Sequence, residues 1–90
     1  MKITEDILLN NGFHKYEKQL RDYMDWDEYI LVINDYEFFI NVRNISNMVG
    51  RDWSVHVDNS NADSIGIVDI DTVEHFNDFM ALLDIDFKLK

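Results

Sequence analysis

Between Trp53 and Leu83 the spacing of apolar positions changes from two residues to between three and four, and the rest of the chain is read around that change. Trp53, Val55 and Val57 alternate with Ser54, His56 and Asp58, the repeat of a strand with one face buried. After a polar loop, Ile65 and Ile67 repeat the alternation on either side of Gly66, which predicts a second strand with both isoleucines on the buried face. Beyond Ile70 the apolar positions become Val73, Phe76, Phe79, Met80 and Leu83, the stripe of an amphipathic helix. Asp71 stands where an N-cap is wanted and Glu74 follows three residues later. That capping-box spacing satisfies orphan N–H groups and predicts a helix start at Asp71.

Upstream the pattern is mixed. Thr4 precedes Ile7 and Leu8, and Asn11-Gly12 closes the run, which predicts a short helix over 4–11 with Thr4 as cap and Gly12 just past the end. Two turns do not stand alone in water, so Ile3, Ile7 and Leu8 must dock elsewhere, with Phe13 anchoring the exit. Residues 14–27 read as helix or irregular: Leu20, Tyr23 and Met24 fit a helical face, although Phe13-His14-Lys15-Tyr16 also suits the start of a strand. Residues 28–33 and 36–43 are rich in β-branched and aromatic side chains and read as strands. Only Asn34 and Asp35 separate them, two residues that tolerate positive φ, so a two-residue hairpin turn is predicted. Residues 44–52 carry turn formers and read as a connection. The closing Phe87-Lys88-Leu89-Lys90 reads as a short edge strand with its lysines outward.

These elements predict an α+β fold: an antiparallel sheet of four or five strands, a short N-terminal helix, and a C-terminal helix packed on one face. Ninety residues without proline, repeat or low-complexity linker read as one domain over 1–90. An apolar content of 47% is enough for a small core, so the high charge does not imply disorder. The absence of cysteine suits a reducing compartment, and the opening MKITEDILLNNG is neither a secretory signal nor a membrane span, so the expected location is cytoplasmic.

Charge narrows the partners. The chain carries a net charge of −10, and between Asp22 and Asp86 fifteen acids meet only two bases, Arg43 and Arg51, a balance of −13. Direct nucleic-acid binding needs lysines and arginines set against phosphates and is therefore not expected. Either solubility or a basic protein surface accounts for the acidity. Tyr16, Tyr23, Trp26, Tyr29 and Tyr36 are interleaved with acids, which makes Asp22, Asp25, Trp26, Asp27, Glu28, Tyr36 and Glu37 the candidate partner-binding residues. Aromatic anchors inside a charged rim suit that role, and half-buried sheet residues are the competing explanation.

Catalytic and metal chemistry find little purchase. His56 lies on the polar side of its strand, and His75 has Phe79 rather than a second ligand four residues on, so the two-imidazole helix motif is missing. Asp58-Asn59-Ser60-Asn61-Ala62-Asp63-Ser64 has oxygen ligands at alternate positions but Asp63 where a calcium loop needs glycine, which favours a plain polar turn. No nucleophile elbow or phosphate-cradling glycine run occurs. Neither cofactor nor metal is expected, and an enzyme is not.

The phrases W-S-V-H-V-D-N at 53–59, S-I-G-I-V-D-I at 64–70 and T-V-E-H-F-N at 72–77, with Ile3, Thr4 and Asn11-Gly12-Phe13 at the opening, resemble a group of small proteins of Bacteroides-type gut bacteria, their phages and mobile elements. The likeness covers residues 3–13 and 53–89 and leaves out the acidic middle. It implies a setting and no reaction. Together these readings predict a non-catalytic binding module, an inhibitor that offers an acidic, nucleic-acid-like surface to a basic host or defence protein. The alternatives are an assembly protein acting as a homodimer and a small metal-dependent enzyme.

Overall fold

The structure is a computed structural model and describes residues 1–21, 24–47 and 50–90, with 17–21, 24–25, 46–47 and 50–52 described at the level of the backbone. Five strands form one antiparallel sheet in sequential order: β1 (His14–Arg21), β2 (Met24–Ile33), β3 (Phe38–Asn47), β4 (Gly50–Asn59) and β5 (Ser64–Ile70). Helix α1 (Glu5–Asn10) precedes the sheet and α2 (Val73–Leu82) follows it. The α+β class predicted above is the observed one.

Alternation along the strands divides the sheet into two unlike faces. One carries Tyr29, Ile33, Ile40, Val42, Val55, Val57 and Ile70, all buried in one cluster with Ile3, Leu8 and Phe13 at the N-terminal end and Phe76, Phe79 and Met80 of α2. Phe13, Phe76 and Phe87 meet edge to face at centroid distances of 6.1–6.4 Å, a favoured arrangement of ring quadrupoles. Both helices therefore dock on the same side. Glu5 of α1 accepts a hydrogen bond from the Tyr29 hydroxyl at 2.9 Å and pairs with Lys15 of β1. The Lys15 bond, and then the Tyr29 bond, hold the Glu5 carboxyl below its ordinary value.

Both helix ends follow from local sequence. Thr4 caps α1 by accepting from the Ile7 amide, and Gly12, at φ +93°, reverses the chain so that Gly12 and Phe13 donate to the Leu9 and Leu8 carbonyls, a Schellman ending. Helix α2 ends in the same way. Asp84 takes the left-handed position at φ 59°, and Asp84 and Ile85 donate to the Ala81 and Met80 carbonyls.

Several expectations are corrected. The cap of α2 is Thr72, whose hydroxyl accepts from the His75 amide, so the helix begins one residue after the predicted place. Glu74 does not reach back to Asp71: its carboxylate takes the Met1 amino group at 2.8 and 3.0 Å, and Asp71 pairs with Lys2 at 3.6 Å. Residues 14–21 and 24–27 are strand, not helix, because β1 pairs with β2 from His14↔Ile30 to Arg21↔Met24. Residues 44–47 and 50–52 extend β3 and β4 as a ladder reaching Asn47↔Gly50. The β2–β3 loop has four residues, with Ile33 opposite Phe38 and Asn34, Asp35 and Tyr36 all at positive φ. This pairing is displaced by two residues from that of a two-residue turn, and an even displacement keeps every side chain on its predicted face.

On β5 a bulge between the Val57 and Asp58 pairings leaves Ile65 as the extra residue. It packs against the core cluster, whereas Ile67 is 61% exposed. The helix-facing positions are Gly66, Val68 and Ile70. Residues 84–90 form no strand. Their backbone is gripped by two asparagine side chains instead: Asn77 accepts from the Leu89 amide and donates to its carbonyl at 2.8 and 3.3 Å, and Asn11 does the same to Lys90 at 3.0 and 3.3 Å. The alternation survives, with Leu89 buried and Lys88 and Lys90 exposed.

Candidate functional site

The sheet face turned away from the helices is the candidate site. Register places its side chains in three rows across the strands. The first runs Glu28, Arg43, Ser54, Asp69; the second Ile30, Asn41, His56, Ile67; the third Val32, Phe39, Asp58. Trp26 lies one step beyond the first row, opposite Ile45.

The first row is organised around a paired charge. Arg43 Nε lies 3.1 Å from Glu28 Oε1, and the same carboxylate oxygen accepts a 2.9 Å hydrogen bond from Trp26 Nε1. The guanidinium also sits 5.8 Å from the centroid of the Trp26 ring, within reach of its negative face. Arg43 is thus paired in place with Glu28, although its charge still reaches His56. Its Nε is off the line a hydrogen bond needs, so the contact is an ion pair rather than an aligned bond.

Two buried oxygens on this face have no hydrogen-bond partner among the described residues, Asn41 Oδ1 and Ser54 Oγ. Ser54 is only 6% exposed. A buried acceptor without a donor loses the hydration it had in the unfolded chain, at a cost of about 1–3 kcal/mol, so such atoms are conspicuous in a native fold. Beside them His56 is partly buried. Burial first, and the Arg43 charge second, push its pKa below the ordinary value, so the ring is neutral at neutral pH.

Toward the third row the face opens into a groove of about 410 Å³, walled by Ile30 and Phe39, with Asn41, Asp58, Ser60 and Ala62 around it. The β4–β5 loop that forms one side is stiffened locally: Asn59 Oδ1 accepts from the amides of Asn61 and Asp63 at 2.9 and 3.0 Å. Because Phe38 pairs with Asn59, the 34–37 and 60–63 loops emerge at the same end of the sheet. Asp35, Glu37, Asp58 and Asp63 therefore stand at that end, and none of the four forms an ion pair with a described residue.

The predicted partner-binding residues are dispersed by the fold. Asp22 lies outside the described residues, as does the side chain of Asp25. Trp26 and Glu28 are hydrogen-bonded together on the open face. Asp27 belongs by alternation to the helix-bearing side, where its charge acts on Lys15. Tyr36 and Glu37 stand in the loop at the far end of β2. Tyr36 is 66% exposed and leans on Phe39 at a centroid distance of 6.1 Å, which joins it to the groove. Asn41, Arg43, Ser54, His56 and Asp58 were not among the candidates. Their signal was present as polar residues at alternate strand positions, but only register sets them side by side.

Among the described residues no three of His, Asp and Glu converge as metal ligands would, and no helix is long and apolar enough to cross a membrane. No family model matches this chain, and neither a curated protein nor a solved structure matches it.

Proposed function

We propose that this protein is a non-catalytic binding module that turns its open, acidic sheet face toward a basic surface on another protein. The observation that carries the reading is the loop end of that face, where register brings Asp35, Glu37, Asp58 and Asp63 to the same end as the exposed Tyr36 and none of the four acids forms an ion pair with a described residue. Such a surface attracts lysine- and arginine-rich partners and repels nucleic acid. In the phage or mobile-element setting implied by the sequence resemblance, a protein of this kind acts as an inhibitor, occupying a host or defence protein where that protein would hold nucleic acid.

Affinity capture from a bacterial lysate tests this, using the wild type, Asp58→Asn/Asp63→Asn, and Glu74→Gln/Asp78→Asn, which removes two charges from α2. A basic partner held by the wild type and the α2 variant, lost by the loop-end variant and released by salt, is the expected result. Screening shortens the reach of exposed charges from ~10 Å at 0.1 M to ~3 Å at 1 M. A partner retained equally at low and near-molar salt overturns the reading.

A homodimer is the second reading. It is favoured by Ile67 and Leu82, 61% and 80% exposed, which flank one groove between the edge strand β5 and α2. Light scattering at two concentrations separates the two, since a monomer at both excludes self-assembly.

A further inference from the structure

We infer that the groove beside Phe39 receives one arginine side chain of the basic partner. This rests on the binding reading above and gives it a specific anchor. Three features of the groove select a guanidinium. Ile30 and Phe39 wall it, offering apolar surface to the methylene stem and a flat ring on which a planar cation stacks. Asn41 lines the groove and its Oδ1, buried just beneath the surface, accepts from no described donor, so a turn of the side-chain amide toward a bound N–H would give that oxygen the partner it lacks. Asp58 supplies the counter-charge at the same groove.

Lysine meets these demands less well. Its ammonium is a strongly hydrated point charge, whereas guanidinium is weakly hydrated, stacks on rings and reaches two acceptors at once through its fork of donors. Phosphates and other anions are opposed by Asp58. The cation already on this face, Arg43, is held by Glu28 at 3.1 Å and lies two residues from Asn41, outside the groove. A guest therefore meets acceptors and a carboxylate rather than a free like charge.

The test is a proton–nitrogen NMR titration of the full chain at low salt, with capped peptides of alternating glycine and arginine, or glycine and lysine, as probes. The arginine peptide is expected to shift the Asn41 side-chain amide and the Phe39 and Ala62 backbone signals saturably, and to bind about tenfold tighter than the lysine peptide. Asp58→Asn and, separately, Asn41→Leu should each lower that affinity by about tenfold, while Asp86→Asn, an equal charge change at a residue that does not line the groove, leaves it within about twofold. The undisturbed dispersion of each variant's spectrum reports that it is folded. Equal binding of the two peptides, or shifts that spare the groove, overturns the arginine site and leaves the acidic-surface reading standing. Failure of both peptides to bind at low salt overturns both.

Discussion

Gly66→Ala is the sharpest probe of how the sheet is covered. Gly66 faces α2, and a methyl group built there would come within 2.7 Å of Phe79 Cζ, 3.1 Å of Leu83 Cδ1 and 3.2 Å of Phe79 Cε1. The first of these is closer than carbon atoms tolerate, so either the Phe79 ring or the helix must move. Phe79 is 9% exposed and belongs to the buried cluster, which leaves its ring little room to retreat. Overpacking of this kind costs roughly 1–3 kcal/mol. For a domain of this size that is a fall in Tm of ~5–20 °C. Urea unfolding followed by tryptophan fluorescence should show a lower midpoint with an unchanged slope, the mark of lost stability rather than an altered denatured state. Neighbouring Ile67→Ala, on the open face, should change stability by less than about 0.5 kcal/mol. Phe79→Leu, which removes the clashing atom, should cost less in the Gly66→Ala background than in the wild type, a coupling that a double-mutant cycle measures directly. A neutral Gly66→Ala together with a damaging Ile67→Ala would mean that the two faces are assigned the wrong way round.

Other predictions follow from local contacts. Thr72→Ala, which removes the hydroxyl that caps α2, should cost about 1 kcal/mol, and Asp71→Ala less, as read by chemical denaturation. Asn77→Ala should cost about 1–3 kcal/mol, because it frees the Leu89 amide and carbonyl that Asn77 holds, and should speed proteolysis at the C-terminal end. The His56 pKa is lowered from 6.5 by burial and by Arg43, so the unfolded chain takes up a proton that the folded protein resists. The stability from neutral His56 is therefore complete above about pH 6.5 and declines as pH falls below it toward the folded pKa. Urea midpoints at about pH 7.5 and pH 5.5 should consequently differ more for the wild type than for His56→Gln.

How much of this was legible in the sequence depended on whether an element declares itself locally. The stripe of α2 did, because Phe76, Phe79 and Met80 are all buried against one sheet. Its cap was misplaced by one residue because Asp71 and Thr72 are both good caps, and the choice between them was made by the Lys2–Thr72 bridge and the Lys2–Asp71 pair, contacts from the far end of the chain. Strand β1 was hidden because its first core-side position is Lys15, whose ammonium lies 5.9 Å from the Tyr29 ring centroid and pairs with Glu5. A lysine stem in place of an aliphatic residue erases the alternation. The length of the β2–β3 loop was missed because Tyr36 stands at φ 72°, a conformation that bulky residues seldom adopt. The open face was hardest to read. Asn41, Arg43 and His56 looked like any solvated side of a strand, and their grouping depends on pairings that no single segment contains.

The chain has no cysteine, so a single introduced thiol can carry the only bulky maleimide adduct on the molecule. The most direct test of the account places that adduct at Val32→Cys, beside Phe39 on the open face, or at Leu82→Cys, 80% exposed on α2, and measures binding of the arginine peptide at low salt before and after labelling. The account predicts that the adduct at position 32 abolishes binding and the adduct at position 82 leaves it unchanged. Binding that survives at position 32 and is lost at position 82 would contradict it.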